Sequence, residues 1–288
     1  MESYSELLLT PPPLPWFGLA AVLGLILGSF LNVVIARLPI MLEHGWHDAY
    51  TDWQGQAAPH RPPFNLARPR SHCPQCEHTL GWTELIPVLS WCWQRGRCRH
   101  CGARIGWHYP AIELASMLLA LACLARFGLQ PFTVAAAGFC LALLALAAID
   151  LRTLLLPDDI NQPLLWAGLL VAVAGWGPIT PAQAIVGASA GYLALWLLAN
   201  GYRWITGREG MGQGDFKLLA ALGAWLGPLA LPALVLMASV LGLVVALILI
   251  VRRRANGRTP LPFGPCLALA GLIQLFAGAS GTPGLAFG

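Results

Sequence analysis

Two aspartates in otherwise uncharged surroundings are the side chains best placed to do chemistry in this chain. Asp215 follows Gly210-Met211-Gly212-Gln213-Gly214 and is succeeded, after Lys217, by an uncharged stretch from Leu218 to Val251. Asp150 ends another uncharged stretch, Phe127 to Ile149. Glycine permits backbone angles and close approaches that other residues do not, so the alternating glycines bring a carboxylate to the edge of a helix bundle with little bulk around it. Two carboxylates at one depth of one bundle make an acid/base pair. Placed close together they do not both ionise readily, so the ionised member can take a proton from water while the protonated one polarises a carbonyl. The competing reading is that each aspartate caps a helix or pairs with Arg152 or Lys217.

A second constellation is Cys73-Pro74-Gln75-Cys76 followed by Cys98-Arg99-His100-Cys101-Gly102, two C-x2-C pairs separated by 21 residues. Four thiolates on two turns suit the tetrahedral sulfur coordination that zinc prefers, and a four-Cys site has no open position, so such a zinc is structural. Gly102 fits the tight turn of a metal knuckle. The alternative is two redox-active or disulfide-bonded pairs, which a cytoplasmic location disfavours. His72, His78 and His100 are spare ligands that a four-Cys set does not need. Cys92 reads as a free thiol, and Cys123, Cys140 and Cys266 read as small hydrophobes in apolar runs.

The elements that must position these residues are membrane helices. Hydrophobic residues make up 57% of the chain and charged residues 10%, with mean hydropathy +0.65; soluble domains carry about 25% charged residues. The fold class is therefore all-α and polytopic, with about eight transmembrane helices and a small polar domain between the first and second. Leu7 to Ala36 is the first span, with Gly24, Gly28 and Ala36 allowing close helix contact and Asn32 needing a partner in the bundle. Residues 39–110 hold all seven histidines and five of the eight cysteines and contain no spanning run. Apolar runs then resume, broken at Asp150–Asp159, Gly175-Trp176-Gly177-Pro178, the glycine strip, Gly227-Pro228 and Arg252–Arg258, and end with Pro262 to Gly278. Three parts follow: 1–38, the first transmembrane helix; 39–110, the zinc-binding domain; and 111–288, the membrane bundle that carries both aspartates. No basic residue precedes Arg37, so no cleaved signal is read at Glu2 and Glu6.

Charge sets the orientation. With the N-terminus outside, segments 37–110, 150–159, 203–217 and 252–261 face the cytoplasm and hold 16 of the 17 Lys and Arg residues, all but Arg126. That orientation puts Asp150 and Asp215 on the same, cytoplasmic, side. The net charge of +4 reads as topology rather than as affinity for nucleic acid.

Taken together, these residues make the chain resemble the type IV prepilin leader peptidases, bifunctional membrane aspartic enzymes of the Gly-x-Gly-Asp class. The likeness covers Gly28-Ser29-Phe30-Leu31-Asn32, Arg37-Leu38-Pro39, both Cys pairs, Tyr109-Pro110 with Glu113, and Asp150 with Leu156-Pro157-Asp158. It continues through Gly212-x-Gly214-Asp215-x-Lys217-Leu218. The resemblance implies that Asp150 and Asp215 are catalytic, supported by Gly212, Gly214, Lys217, Asp158 and Glu113. It implies cleavage of the basic leader of prepilins and pseudopilins after a glycine, at the cytoplasmic face of the inner membrane. It further implies methylation of the new N-terminal amine, usually of phenylalanine, from S-adenosylmethionine. The methyl-transfer part is expected in the Cys-bearing domain and first helix, with Gly96 the one specific cofactor-binding candidate. No glycine-rich cofactor loop occurs between 39 and 110.

Two readings of other classes compete. A proton- or cation-coupled transporter would use the Asp pair to bind its ion, but would place it near the bilayer midplane in related halves, and no internal repeat is visible. A non-catalytic assembly scaffold with a zinc-bearing docking domain would survive loss of either aspartate.

Overall fold

The computed structural model describes residues 12–56, 61–208, 210–252 and 261–278. The start of the first apolar run (7–11), His60 and the basic residues Arg253, Arg254 and Arg258 lie outside the described residues. Among those described, every long element is a helix, in two compact units divided between Thr133 and Val134.

The first unit is built on helix α1 (Leu14–Trp53), followed by a 3-10 turn (Trp82–Leu85), the short α2 (Leu89–Trp93) and α3 (His108–Phe127). Helix α1 does not stop where its apolar run stops. It continues through Pro39, which forfeits one main-chain bond, to Trp53. Gly24 and Gly28 of α1 lie directly on the α3 backbone: a Cβ added to either would stand 2.7 Å from the Cα of Met117 or of Glu113. This is the small-residue seam by which helices associate in lipid, where close approach rather than the hydrophobic effect supplies the attraction. Asn32, the polar residue of this span, donates from Nδ2 to the Tyr109 carbonyl at 3.0 Å.

The second unit contains most of α4 (Pro131–Thr153), then α5 (Asp158–Val173), α6 (Pro181–Thr206), α7 (Gln213–Leu226), α8 (Leu231–Val251) and α9 (Gly264–Gly278). Among the described residues five helices, α1, α3, α4, α6 and α8, are long and apolar enough to cross a bilayer. With α5, α7 and α9, of 16, 14 and 15 residues, they make up the eight helices that the apolar runs foretold. The core of this unit is α7, in which Asp215, Phe216 and every residue from Leu218 to Trp225 is buried. Glycine again makes the packing possible, since Cβ atoms on Gly187 or Gly191 of α6 would run into the α7 carbonyls of Gly223 and Leu219. Trp225 packs on Phe139 of α4 and donates to the Leu164 carbonyl of α5 at 2.8 Å. Along α8, by contrast, only 11% of the most apolar window is buried and Leu, Val and Ile side chains face outward, as lipid contact requires. The chain is an all-α polytopic membrane protein.

Candidate active site and metal centre

Asp150 lies in the last turn of α4 and Asp215 in the first turn of α7, and both are buried. Leu156 packs beside both: on Gly214, next to Asp215, and on Gly264, whose N–H donates to Asp150 Oδ2. The local reason is the connection after α4. That helix ends at Thr153, Leu154 takes a left-handed conformation (φ 55°), and the chain turns through Leu156-Pro157 into α5. Leu156 then becomes the packing piece between the two acids' neighbourhoods. A Cβ on Gly214 would meet the Leu156 Cβ at 2.7 Å, and one on Gly264 would meet Leu156 Cδ2 at 2.9 Å.

The three glycines before Asp215 do three different things. Gly210 sits under the Tyr202 ring, 2.7 Å from where its Cβ would be. Gly212 is the N-cap of α7, and the nearest atom to an added Cβ is Asp215 Oδ2 at 3.8 Å. Gly214 is pressed on Leu156, so its small size serves the packing of the chain itself. Lys217, one turn further, is not a partner of either buried acid: its Nζ lies 2.8 and 2.6 Å from the two oxygens of Asp158 at the start of α5. That pair ties the entry of α7 to the entry of α5.

The four cysteines Cys73, Cys76, Cys98 and Cys101 converge with all four Sγ atoms within 4.8 Å of one another. Cys73 and Cys101, from different pairs, have sulfurs 3.8 Å apart. Zinc–sulfur bonds of about 2.3 Å at tetrahedral corners put sulfurs about 3.8 Å apart, so the donor set fits that ion. The two halves are built alike. Antiparallel bridges join His72 to Thr79 and Arg97 to Arg104, and the Cys73 and Cys98 N–H groups donate to the His78 and Ala103 carbonyls. The residue after the second cysteine of each pair is left-handed, Gly102 in one half and Glu77 in the other. Main-chain N–H groups of Gln75 and Cys76 directed at the Cys73 sulfur lower that thiol, while burial and the three neighbouring cysteines hold the Cys76 thiol up. His78 and His100 stack face to face, 4.7 Å between ring centres.

Gly96 and Glu113 belong to the first unit. Gly96 is left-handed (φ 66°), its carbonyl accepts from Ile105, and an added Cβ would stand 2.9 Å from the Trp91 ring. Glu113 is buried on α3 and accepts from the Val88 N–H at 2.7 Å.

Residues 22–127 match the model of the bacterial peptidase A24 N-terminal domain, and residues 137–247 match that of the type IV leader peptidase family. A prepilin leader peptidase/N-methyltransferase of Aeromonas hydrophila is 48% identical over 271 residues, covering 93% of each chain. Proteins with the same name from Burkholderia pseudomallei (strain 1026b) and Dickeya chrysanthemi are 50% and 49% identical, over 90% and 91% of this chain and 84% and 93% of theirs. The chain belongs to the type IV leader peptidase family. No solved structure matches it.

Within this leader peptidase family member, two residues beside the carboxylates escaped the reading of the sequence. Gly264, the first residue of α9, donates its main-chain N–H to Asp150 Oδ2 at 2.9 Å, and a Cβ there would stand 2.7 Å from that same oxygen. Asn161 of α5, 1% exposed, reaches the carbonyls of Leu156 and Gly214 from Nδ2 at 3.4 and 3.5 Å, while its Oδ1 has no partner. Local marks existed for both: Gly264-Pro265 after an apolar gap reads as a helix start, and Asn161 is a polar amide inside an uncharged span.

Proposed function

We propose that Asp150 and Asp215 act as one water-activating pair that removes the leader of prepilins and pseudopilins after a glycine. The observation that carries this reading is that two buried carboxylates, 65 positions apart in sequence, stand at ends of α4 and α7 whose neighbouring glycines, Gly264 and Gly214, pack on the same Leu156 side chain. One member of the pair, as carboxylate, takes a proton from water as its oxygen attacks the scissile carbonyl. The other, as the acid, donates to the carbonyl oxygen; protonation of the leaving amine then completes the cleavage. Gly264 fixes the orientation of Asp150 through a main-chain donor that does not titrate. Asn161 and Leu156 hold the strip carrying Gly214, and the Asp158–Lys217 pair fixes the end of α7. Gly212 leaves open space next to Asp215 for an extended substrate backbone.

Family membership makes the chain a membrane leader peptidase with N-methyltransferase activity. The methyl-transfer part is assigned to the first unit, with Gly96 acting through the Trp91 ring that it seats. S-adenosylmethionine would supply the methyl group for the new N-terminal amine, usually that of phenylalanine. Cys73, Cys76, Cys98 and Cys101 would hold zinc in a closed site, where it holds the two knuckles together and has no position free for substrate. The N-terminus faces outward and the metal module inward at the inner membrane, supported by 16 of 17 basic residues on the inward side; membrane lipid covers the exposed Leu and Val faces.

Co-expression with a prepilin tests the pair. Leader removal, followed by gel shift at equal membrane abundance, is expected in the wild type and absent in Asp150→Asn and in Asp215→Asn. Full processing by either variant would refute the two-carboxylate mechanism.

A further inference from the structure

The first unit contains a cavity of about 470 Å³, walled by α1 and α3 on one side and by the metal module on the other. That is the size of a small-molecule site. Asn32, Arg37 and Glu113 line it from the long helices, and Trp91, Gln94 and Arg104 line it from the module.

We propose that this cavity is where the methyl group is transferred, with Glu113 receiving the ammonium of the cleaved pilin and the module side, around Trp91 and Arg104, receiving the methyl donor. The inference rests on the reading that the chain methylates its product, and names the place and the residues.

Glu113 is the reason. It is 8% exposed, and it accepts a hydrogen bond from the Val88 N–H, a neutral donor. No Lys, Arg or His forms an ion pair with it among the described residues. A buried carboxylate opening on a cavity and lacking a cation of its own has a place for one. The surroundings are shaped to present it. Val88 adopts φ 60°, ψ −50°, a tight turn in which the Leu89 N–H donates to the Pro87 carbonyl. A β-branched residue is strained there, and the product of that strain is a main-chain donor aimed at Glu113. Strained backbone held beside a buried charge is a mark of a working site.

The chemistry of N-methylation brings two cations to one place, a sulfonium and an ammonium. Glu113 and Ser29 stand on the apolar helices α3 and α1, where those helices meet the module. An amine that terminates a membrane-embedded pilin helix reaches that level, and the polar, aromatic module side is left for the donor. Trp91 offers a face for the adenine ring and Arg104 a partner for the donor's carboxylate. In the step itself, the ammonium passes one proton to the Glu113 carboxylate. The freed amine lone pair forms the N–C bond with the methyl carbon as the C–S bond breaks, its electron pair remaining on sulfur as a neutral thioether. The product is a secondary ammonium, and Glu113 then gives up its proton to water.

The test uses the full chain in detergent, with zinc content as the check on folding. S-adenosylhomocysteine binding is measured by calorimetry, and methylation of an already cleaved pilin by intact mass. Glu113→Gln is expected to keep zinc, to bind S-adenosylhomocysteine within about twofold of wild type, and to methylate about 100-fold more slowly. Raising the pH toward that of amine deprotonation should recover part of the loss, which a purely architectural role would not allow. Glu113→Asp should retain more methylation than Glu113→Gln, and Trp91→Ala should keep zinc and weaken S-adenosylhomocysteine binding by about tenfold or more. Wild-type methylation by Glu113→Gln, or S-adenosylhomocysteine binding lost with Glu113 and unaffected at Trp91, would overturn the assignment. If Glu113→Gln loses zinc, the Glu113→Asp and Trp91→Ala measurements decide. A wild-type chain that binds no donor and methylates no pilin would instead refute the methyltransferase reading on which the inference stands.

Discussion

Gly264 touches the carboxylate pair through an atom that every residue but proline possesses, and that explains why it was hard to read from sequence. What selects glycine is the space: a methyl group there would stand 2.7 Å from Asp150 Oδ2. Gly264→Ala must push the carboxylate away, and displacements near 1 Å cost about 100-fold in well-positioned reactions. Leader cleavage by this variant should fall to that order at normal abundance; a rate within twofold of wild type would show that the Asp150 site tolerates movement. Asn161 makes a complementary prediction. Its two bonds are long and its Oδ1 is orphaned, so an apolar residue of similar size loses little stability. Asn161→Leu should therefore melt within a few degrees of wild type but cleave about tenfold more slowly, because the strip carrying Gly214 is no longer held. Equal losses in melting temperature and activity would make Asn161 a purely structural residue. Asp150 and Asp215 themselves were legible because a charge in an apolar run is costly and conspicuous. A main-chain donor and an uncharged amide carry no such signal.

At the scale of elements, the number of long helices could be read from the apolar runs, but their neighbours and ends could not. Apolarity ends near Ala36, whereas the main-chain hydrogen bonds of α1 do not depend on side-chain polarity and continue to Trp53. Glycines announced close contact without saying which helix they meet: Gly24 and Gly28 meet α3, Gly187 and Gly191 meet α7. In the second seam a side chain would collide with backbone, which cannot rotate away. Gly187→Val should destabilise the second unit by about 1–3 kcal/mol, seen as a lower melting temperature of tryptophan fluorescence. The Asp158–Lys217 pair is partly exposed and contributes about 1 kcal/mol or less, so its importance is in aim rather than stability. Lys217→Met should lower cleavage more than it lowers the melting temperature, and reversing both charges together should restore part of the rate; an additive loss in the double variant would dismiss the pairing as incidental.

Across the whole molecule, the carboxylate pair and the four-cysteine centre are each complete within one unit. On the zinc reading, Cys98→Ser should lose zinc, loosen the knuckles and abolish methylation while cleavage declines less. Equal loss of both activities would mean that the two units do not keep their work apart. Of the helices that bring residues to the pair, α5, which carries Asn161, is both short and outward-facing: its 16 residues rise about 24 Å, and Trp166, Leu170 and Val173 are exposed. The hydrocarbon core of a bilayer is about 30 Å thick. A bilayer adjusts to such a mismatch by thinning around the protein, at a modest cost for each ångström. Acyl-chain length thus becomes a variable of the reaction. In reconstituted vesicles, cleavage should fall as the lipid chains lengthen and thinning around α5 becomes costlier, with the protein itself unchanged; a rate independent of chain length would remove the bilayer from the reaction.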